Sequence, residues 1–522
     1  MTGVLKPFPF INKYTNDSEI SDEDLVIINS HSNLVDIDQI IDLSFDGDTF
    51  EDRNSSALIL ESLIPSLYPT QINDLSNRVL KSLEVLETDY IWCGDDLSEV
   101  DDNIRTKISK IEIYKLQQLF KLRLFRKILT SSNFATTCDF NKVLGKLSYF
   151  YIEDVPWSNE YMTKLSRCCI DVILRDLQQK DKDFFITTIL HDILKPRLIE
   201  VNKLNRTDLK LNKKKELFKG IQPQLGFSKN SSHELDHWKL KNTKLLSTMG
   251  FIINFEVQDE YQNFLKIIIP LLLNFLDDHE CSIKYQSCKI LSQIINQYKR
   301  DNLIKSYYAI FIDSLKKCLL YLPSLTPISK SSKLLSEAYP LLIQLYQLYY
   351  RDESELNEKL ILLIQDYILI SITAVKDKSF QILLILLDIL NDYLISNLKI
   401  DIIPVLSKLN DELLSLLIDP YVLLKPELVT KILMILRNFM KYCWIIIDKK
   451  YKYDYLGAFT ITYKRLNDDE SNISNLKLLE ILRENIQILR ESCEDKQSFD
   501  SDCDKLLEKD NSLTNLFKSP CI

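Results

Sequence analysis

Along most of the chain, apolar residues recur every three to four positions, the spacing that lines one face of an α-helix. The pattern predicts helices at Ser56–Ile64, Ile72–Glu87, Arg105–Thr130, Phe140–Tyr151, Ser158–Gln179 and Asp183–Leu194. Pro196 is expected to stop the last of these, because proline has no N–H and crowds the preceding turn. From Trp238 the pattern strengthens. Helix Ser282–Tyr298 sets Ile283, Ile290, Leu291, Ile294, Ile295 and Tyr298 on one stripe, and similar stripes run through Leu303–Leu320, Lys333–Tyr350, Glu355–Val375, Phe380–Ser396, Ile402–Ile418 and Glu427–Ile447. Period-two alternation, which half-buried strands require, is hard to find. Helices of ~15–20 residues, each with one broad apolar stripe, recur every ~20–25 residues, as in stacked helix pairs. The expected fold is all-α, an irregular HEAT-like α-solenoid of stacked antiparallel helix pairs, irregular because no strict sequence repeat is visible.

The same pattern suggests five segments. Residues 1–53 read as an acidic, largely disordered arm with a short helix near Leu34–Leu43. Residues 54–202 form an N-terminal helical region. Residues 203–232 form a basic polar linker or loop, with 7 basic residues over positions 203–219. A solvated loop is preferred there over a nuclear-localisation or phosphate-binding patch. Residues 233–455 carry the HEAT-like solenoid. In 456–522 the pattern weakens to a C-terminal helix, Leu476–Arg490, and a frayed tail from Ser498.

Composition narrows the class. Only 8 glycines occur, too few for the turns and phosphate loops of Rossmann, P-loop, barrel or sandwich folds. The net charge is −9, so direct nucleic-acid binding is not expected. Residues 1–53 hold 12 acidic residues against Lys6, Lys13 and Arg53, so the rest of the chain is close to neutral. The 11 cysteines include no C-x-x-C pair, and several sit inside apolar helical stripes, which points to a reduced compartment. The most apolar run, Ile382–Leu390, is interrupted by Asp388 and is shorter than the ~20 residues a membrane span needs. A soluble, intracellular chain without signal peptide or membrane contact is expected.

Candidate chemistry is sparse. His233-Glu-Leu-Asp-His237 matches H-E-x-x-H, in which two histidines at i and i+4 bind zinc and the glutamate acts as base. Asp236 stands where such helices carry an uncharged residue, Lys229–Ser232 reads as loop, and no third ligand is evident. A zinc metalloprotease therefore remains a remote alternative. No catalytic residue, metal site or cofactor is expected. The basic helix Arg105–Thr130 carries 8 basic residues against Glu112; a solvated solenoid face explains it better than a membrane or acidic partner.

The most specific stretch is Pro270-Leu-Leu-Leu-Asn-Phe-Leu-Asp-Asp278, followed after a short turn by Ile283-Lys284. Its ending resembles a HEAT-repeat turn. An aspartate there can accept backbone N–H bonds at the start of the next helix, Ile283 turns inward, and Lys284 can neutralise the acidic turn. Pro404 to Asp419-Pro420 reads as a degenerate echo of this unit.

Five segments in order then carry a resemblance: His237-Trp238-Lys239; Pro270 with Leu276-Asp277-Asp278; Ile283-Lys284; Cys318 to Tyr321-Leu322-Pro323-Ser-Leu-Thr326-Pro327; and Ala338-Tyr339-Pro340. They resemble the Tel-two-interacting protein two family, the smallest subunit of the TTT co-chaperone complex, which reads HPWK, PLLL…LDD…K, CL.YLP.LTP and AYP.L. The proline of the first motif is absent here, since His237 and Trp238 are adjacent. The resemblance implies a non-catalytic scaffold that joins two other helical-repeat subunits. It further implies work with the Hsp-ninety chaperone and its RuvB-like co-chaperone on phosphatidylinositol-kinase-related kinases (PIKKs) of the TOR, ATM and ATR type, and hence links to growth, telomere and DNA-damage signalling in cytoplasm and nucleus. Another HEAT-type scaffold, such as a transport receptor or a phosphatase regulatory subunit, is the alternative.

Overall fold

The computed structural model describes residues 21, 24, 37–46, 50–83, 85, 102–131, 140–175, 179–204, 238–255, 261–299, 301–323, 325–467 and 473–517. Among these, every regular element is a helix. The fold is all-α, built from consecutive helices that pack pairwise, as the periodicity predicts. The chain divides into two compact units, Met1–Tyr298 and Lys299–Ile522. That division falls inside the expected 233–455 block; most of 203–232 lies outside the described residues. The reason is local to the first unit, where the chain after Trp238 packs back onto much earlier residues. Buried Ser148 and Thr248 share a 3.0 Å hydrogen bond, and the Ile152 N–H donates to Ser247 Oγ at 3.1 Å. Gly250 permits this approach, since a Cβ there would come within 2.5 Å of Ile152 Cγ2.

The first unit runs through helices Ile37–Asp46, Phe50–Leu63, Pro69–Ser82, Asp102–Thr130, Phe140–Ser148, Glu160–Arg175, Gln179–Ile189, Lys244–Ile253, Tyr261–Leu276 and Cys281–Tyr298. Three expectations change. Part of the acidic arm belongs to the core: Ile40 and Ile41 are buried and Asp42 pairs with Arg78 at 2.7 Å, so an apolar stripe outweighs the acids beside it. The remainder of the arm lies outside the described residues. Pro196 does not end its helix, which continues to residue 204. A π-helical turn, Leu190–Leu194, ends two residues before the proline, so the missing N–H meets a ladder that is already widened. Helix Asp102–Thr130 is more than a solvated basic face. Arg123 is buried and grips Glu61 through Nε at 3.2 Å and Nη2 at 3.3 Å, while Lys121 donates to the Ser82 carbonyl at 2.9 Å.

The second unit alternates up and down with short connections: Asn302–Cys318, Ile328–Tyr349, 353–375, 380–398, Ile403–Ile418, Pro426–Tyr442, 444–467, Ile473–Glu491 and Lys496–Lys509. Side chains in the turns start these helices. Asp301 accepts from the Leu303 N–H at 2.7 Å, Asp352 from Glu355 at 3.3 Å and Ser379 from Ile382 at 3.3 Å, each filling an orphan donor of the first turn. Hydrogen bonds between successive pairs reveal the repeat. Asn391 to Asn438, Arg437 to Glu484 and Tyr455 to Asn410 link residues 47, 47 and 45 positions apart. Every second helix is thus parallel to its neighbour, at the spacing of HEAT-type units (~40–47 residues).

The C-terminal tail is a further correction. Helix Lys496–Lys509, capped by Asp495, buries Phe499, Cys503 and Leu507, and Leu513 and Leu516 follow them inward. Apolar residues spaced four apart suffice to dock an otherwise polar helix. Helix Phe380–Ile418 is also longer than the run Ile382–Leu390: its 39 residues meet the length and hydropathy of a membrane span. It is broken by a 3₁₀ turn at Lys399–Ile402, and 56% of its most apolar window is buried within the fold.

Candidate functional site

The motif residues of the first unit converge on one buried polar junction. Trp238, 8% exposed, lies at the start of the chain's return to the core. Its ring stacks on Phe275 with centroids 6.0 Å apart. Its indole N–H donates to Glu200 Oε2 at 3.1 Å, and Arg197 holds the same carboxylate at 2.8 and 2.9 Å. The Arg197 guanidinium first, and then the Trp238 indole, keep the Glu200 carboxyl below the usual range.

The next residue reaches the turn. Lys239 Nζ lies 3.5 Å from Asp278 Oδ2, with both side chains largely buried. Asp278 Oδ1 accepts from the Glu280 N–H at 2.8 Å, the role expected of it at the helix start. Asp277 points to solvent, whereas Leu276 and Ile283 are in the core. Lys284 ties the turn to the preceding helix. Its Nζ donates at 2.7 Å to the Leu276 carbonyl, satisfying an orphan acceptor at the preceding helix's end. Lys239 thus brings a cation to Asp278 from the start of the returning chain. Pro270 sits inside helix Tyr261–Leu276, where its carbonyl accepts from Asn274 Nδ2 at 2.7 Å.

The Asp419 echo is real at the level of geometry. Asp419 Oδ1 accepts from the Tyr421 N–H at 2.9 Å, and Arg465 donates to the Ile418 carbonyl, as Lys284 does to Leu276. The other motifs occupy the two ends of one connection in the second unit. Tyr321 and Leu322 are half-buried, Pro323 is buried, and Thr326 and Pro327 lead into helix Ile328–Tyr349. Ser331 Oγ donates to the Tyr321 carbonyl and the Ser331 N–H to Pro327 at 2.9 Å, which pins the loop. Leu325 at its tip is 96% exposed. Further along that helix Ala338 and Tyr339 are fully buried, with Pro340 in its interior. Burial pushes the Tyr339 hydroxyl's ionisation well up, so it stays neutral.

Several partners of these residues carry no sequence signal. Glu200 precedes Trp238 by 38 positions. Asp154, at φ 60°, accepts from Tyr285 at 3.2 Å and pairs with Lys289 at 3.5 Å, and Gln286 donates to the carbonyls of Glu153 and Asp154 at 3.1 and 2.8 Å. A left-handed Asp before Val-Pro marks a turn, but nothing in the sequence says which helix covers it. His233, Glu234 and His237 lie outside the described residues. Among the described residues, no three His, Cys, Asp or Glu side chains are grouped to hold a metal ion. An open cleft of about 670 Å³ is lined by Lys81, Lys142, Lys146, Tyr149, Thr188 and Asp192. The junctions join helices.

No curated protein matches the chain. Among solved structures, a chain from the structure describing Kap95p binding to RanGDP is similar at 10% identity, covering 95% of this chain and 72% of that one, with a TM-score of 0.33. The model of the Tti2 family matches residues 143–424, more than half of the chain, spanning both units and every motif residue named above. The chain belongs to the Tti2 family.

Proposed function

We propose that the chain is a non-catalytic scaffold subunit of the heterotrimeric TTT co-chaperone complex. In this reading it joins two other helical-repeat subunits and, with the Hsp-ninety chaperone and its RuvB-like co-chaperone, supports maturation and stability of PIKK kinases of the TOR, ATM and ATR type. It acts in cytoplasm and nucleus. The observation that carries the proposal is the family match over residues 143–424. The buried, hydrogen-bonded state of Trp238, Lys239, Asp278 and Lys284 supports it, since these residues fix helix register and leave surfaces, not reacting groups, to do the work. The test is purification of the tagged chain with mass spectrometry. Recovery of two large helical-repeat proteins together with giant kinases is expected. Recovery of transport cargo or a phosphatase catalytic subunit in their place overturns the assignment.

A further inference from the structure

Where helix Pro426–Tyr442 turns into Trp444–Ile446, the second unit leaves large apolar side chains in water: Trp444 is 41% exposed and Ile445 44%. A neighbouring turn extends this surface. Tyr455 donates to Asn410 and Thr462 to the Leu417 carbonyl, both 45 positions apart, so 444–467 runs parallel to Ile403–Ile418. Carried back to the helix starts, that offset brings Ile445 level with the segment 400–403, whose Ile400 is 55% exposed.

The same corner is basic. Lys441, Lys449 and Lys450 are exposed, and Lys449 follows Ile445 by one helical turn, on the same face. None of the three makes an ion pair among the described residues; Lys450 is held by the Tyr451 side chain, its Nζ 4.9 Å from the ring centroid, and the field of Asp411 also reaches it. The nearest acid in sequence, Asp448, is occupied, accepting from the Glu494 N–H at 3.2 Å. Exposed aromatic and aliphatic side chains beside lysines that make no ion pair form a two-part recognition surface, apolar for affinity and charged for steering.

We propose that this corner docks an acidic segment of another protein, laying an apolar side chain on Trp444 and Ile445 and carboxylates on Lys449 and Lys450. The proposal rests on reading the chain as a subunit of an assembly and deepens it by naming the surface and the partner's charge. Charge decides the occupant. A second copy whose two-fold axis passes through Lys449 and Lys450 would set lysine against lysine. A flat anionic membrane would also have to approach Asp401, Asp454 and Glu494, which stand exposed around the corner, whereas a narrow segment avoids them.

The test places the photocrosslinking residue p-benzoylphenylalanine at Ile445 in the full chain, purified with its co-expressed complex. The expected crosslink is to a net-acidic stretch of a different subunit. It is lost in the Lys449→Glu/Lys450→Glu variant, which also weakens that subunit's binding by about tenfold while the melting temperature holds. A crosslink to a second copy, to lipid or to a stretch that is not acidic overturns the proposal. So does full binding by the charge-reversed variant. Co-purification of the complex without any crosslink overturns this proposal alone; failure of any subunit to co-purify overturns the scaffold reading as well.

Discussion

At Asp278 one carboxylate pairs with Lys239 through Oδ2 and accepts the Glu280 N–H through Oδ1. Substitutions separate the two roles. Asp278→Asn keeps an acceptor for the backbone but leaves Lys239 buried without its counter-charge, whereas Asp278→Ala removes both. We expect losses of about 2 and about 3 kcal/mol respectively, and about 2 kcal/mol for Lys284→Ala, which strands the Leu276 carbonyl. Equilibrium urea unfolding checks the order. Loss of partner binding at unchanged stability would show instead that these residues form a contact surface. The cysteines give a second prediction. Burial pushes the thiols of Cys443, Cys493 and Cys503 up to about 11, about 12 and about 12. Thiols in the unfolded chain ionise near 8.5. The protonated form is therefore favoured by folding, and stability is unaffected below about pH 8.5 and falls as pH rises from there towards the folded values. Melting temperature should drop between pH 8.5 and 10.5. Iodoacetamide at pH 8 should leave these three cysteines unlabelled until the chain unfolds; prompt labelling would contradict it.

At the scale of elements, helix register is set by a few close approaches. Gly250 and Gly457 both lie within helices, yet they predict opposite outcomes. At Gly250 a methyl group meets Ile152 at 2.5 Å, whereas at Gly457 nothing stands within 4 Å. Alanine improves helix propensity at both sites by about 1 kcal/mol. Gly457→Ala should therefore stabilise by about 0.5–1 kcal/mol, and Gly250→Ala should destabilise by about 1–2 kcal/mol once overpacking is included. Thermal melts of the two variants test the sign of each. The sequence shows why this level is only partly legible. The stripe of Ile283, Ile290 and Ile294 announces its helix because the apolar period matches the helical turn. Helix Lys496–Lys509 does not, because Phe499, Cys503 and Leu507 are set among Asp, Ser and Lys. Pro196 misleads for a different reason, since a π turn upstream is a backbone adjustment that no residue code marks. The turn at Asp278 lies between these cases: its cap is local and readable, but its pairing with Lys239, far upstream in the chain, depends on tertiary placement.

At the scale of the molecule, the family match crosses from the first compact unit into the second, so what defines the chain is a succession of helix pairs rather than a pocket. In the second unit each pair touches mainly its neighbours, through bonds such as Asn391 to Asn438 and Arg437 to Glu484. Nearest-neighbour coupling makes stability local, and terminal pairs open before central ones. Among the described residues the last pair is bonded to the pair before it, through Arg437 to Glu484 and Ser492 to the Met440 carbonyl, and Phe499 is its largest fully buried side chain. Phe499→Ala, by removing about 3–4 kcal/mol of packing, should release amide exchange through Ile473–Glu491 and Lys496–Lys509. Amides of Asn302–Cys318 and Ile328–Tyr349 should keep their protection. Exchange followed by mass spectrometry distinguishes this from its alternative. Uniform loss of protection across 302–517 would mean that the second unit unfolds as one cooperative body and that its repeats do not act as separable steps.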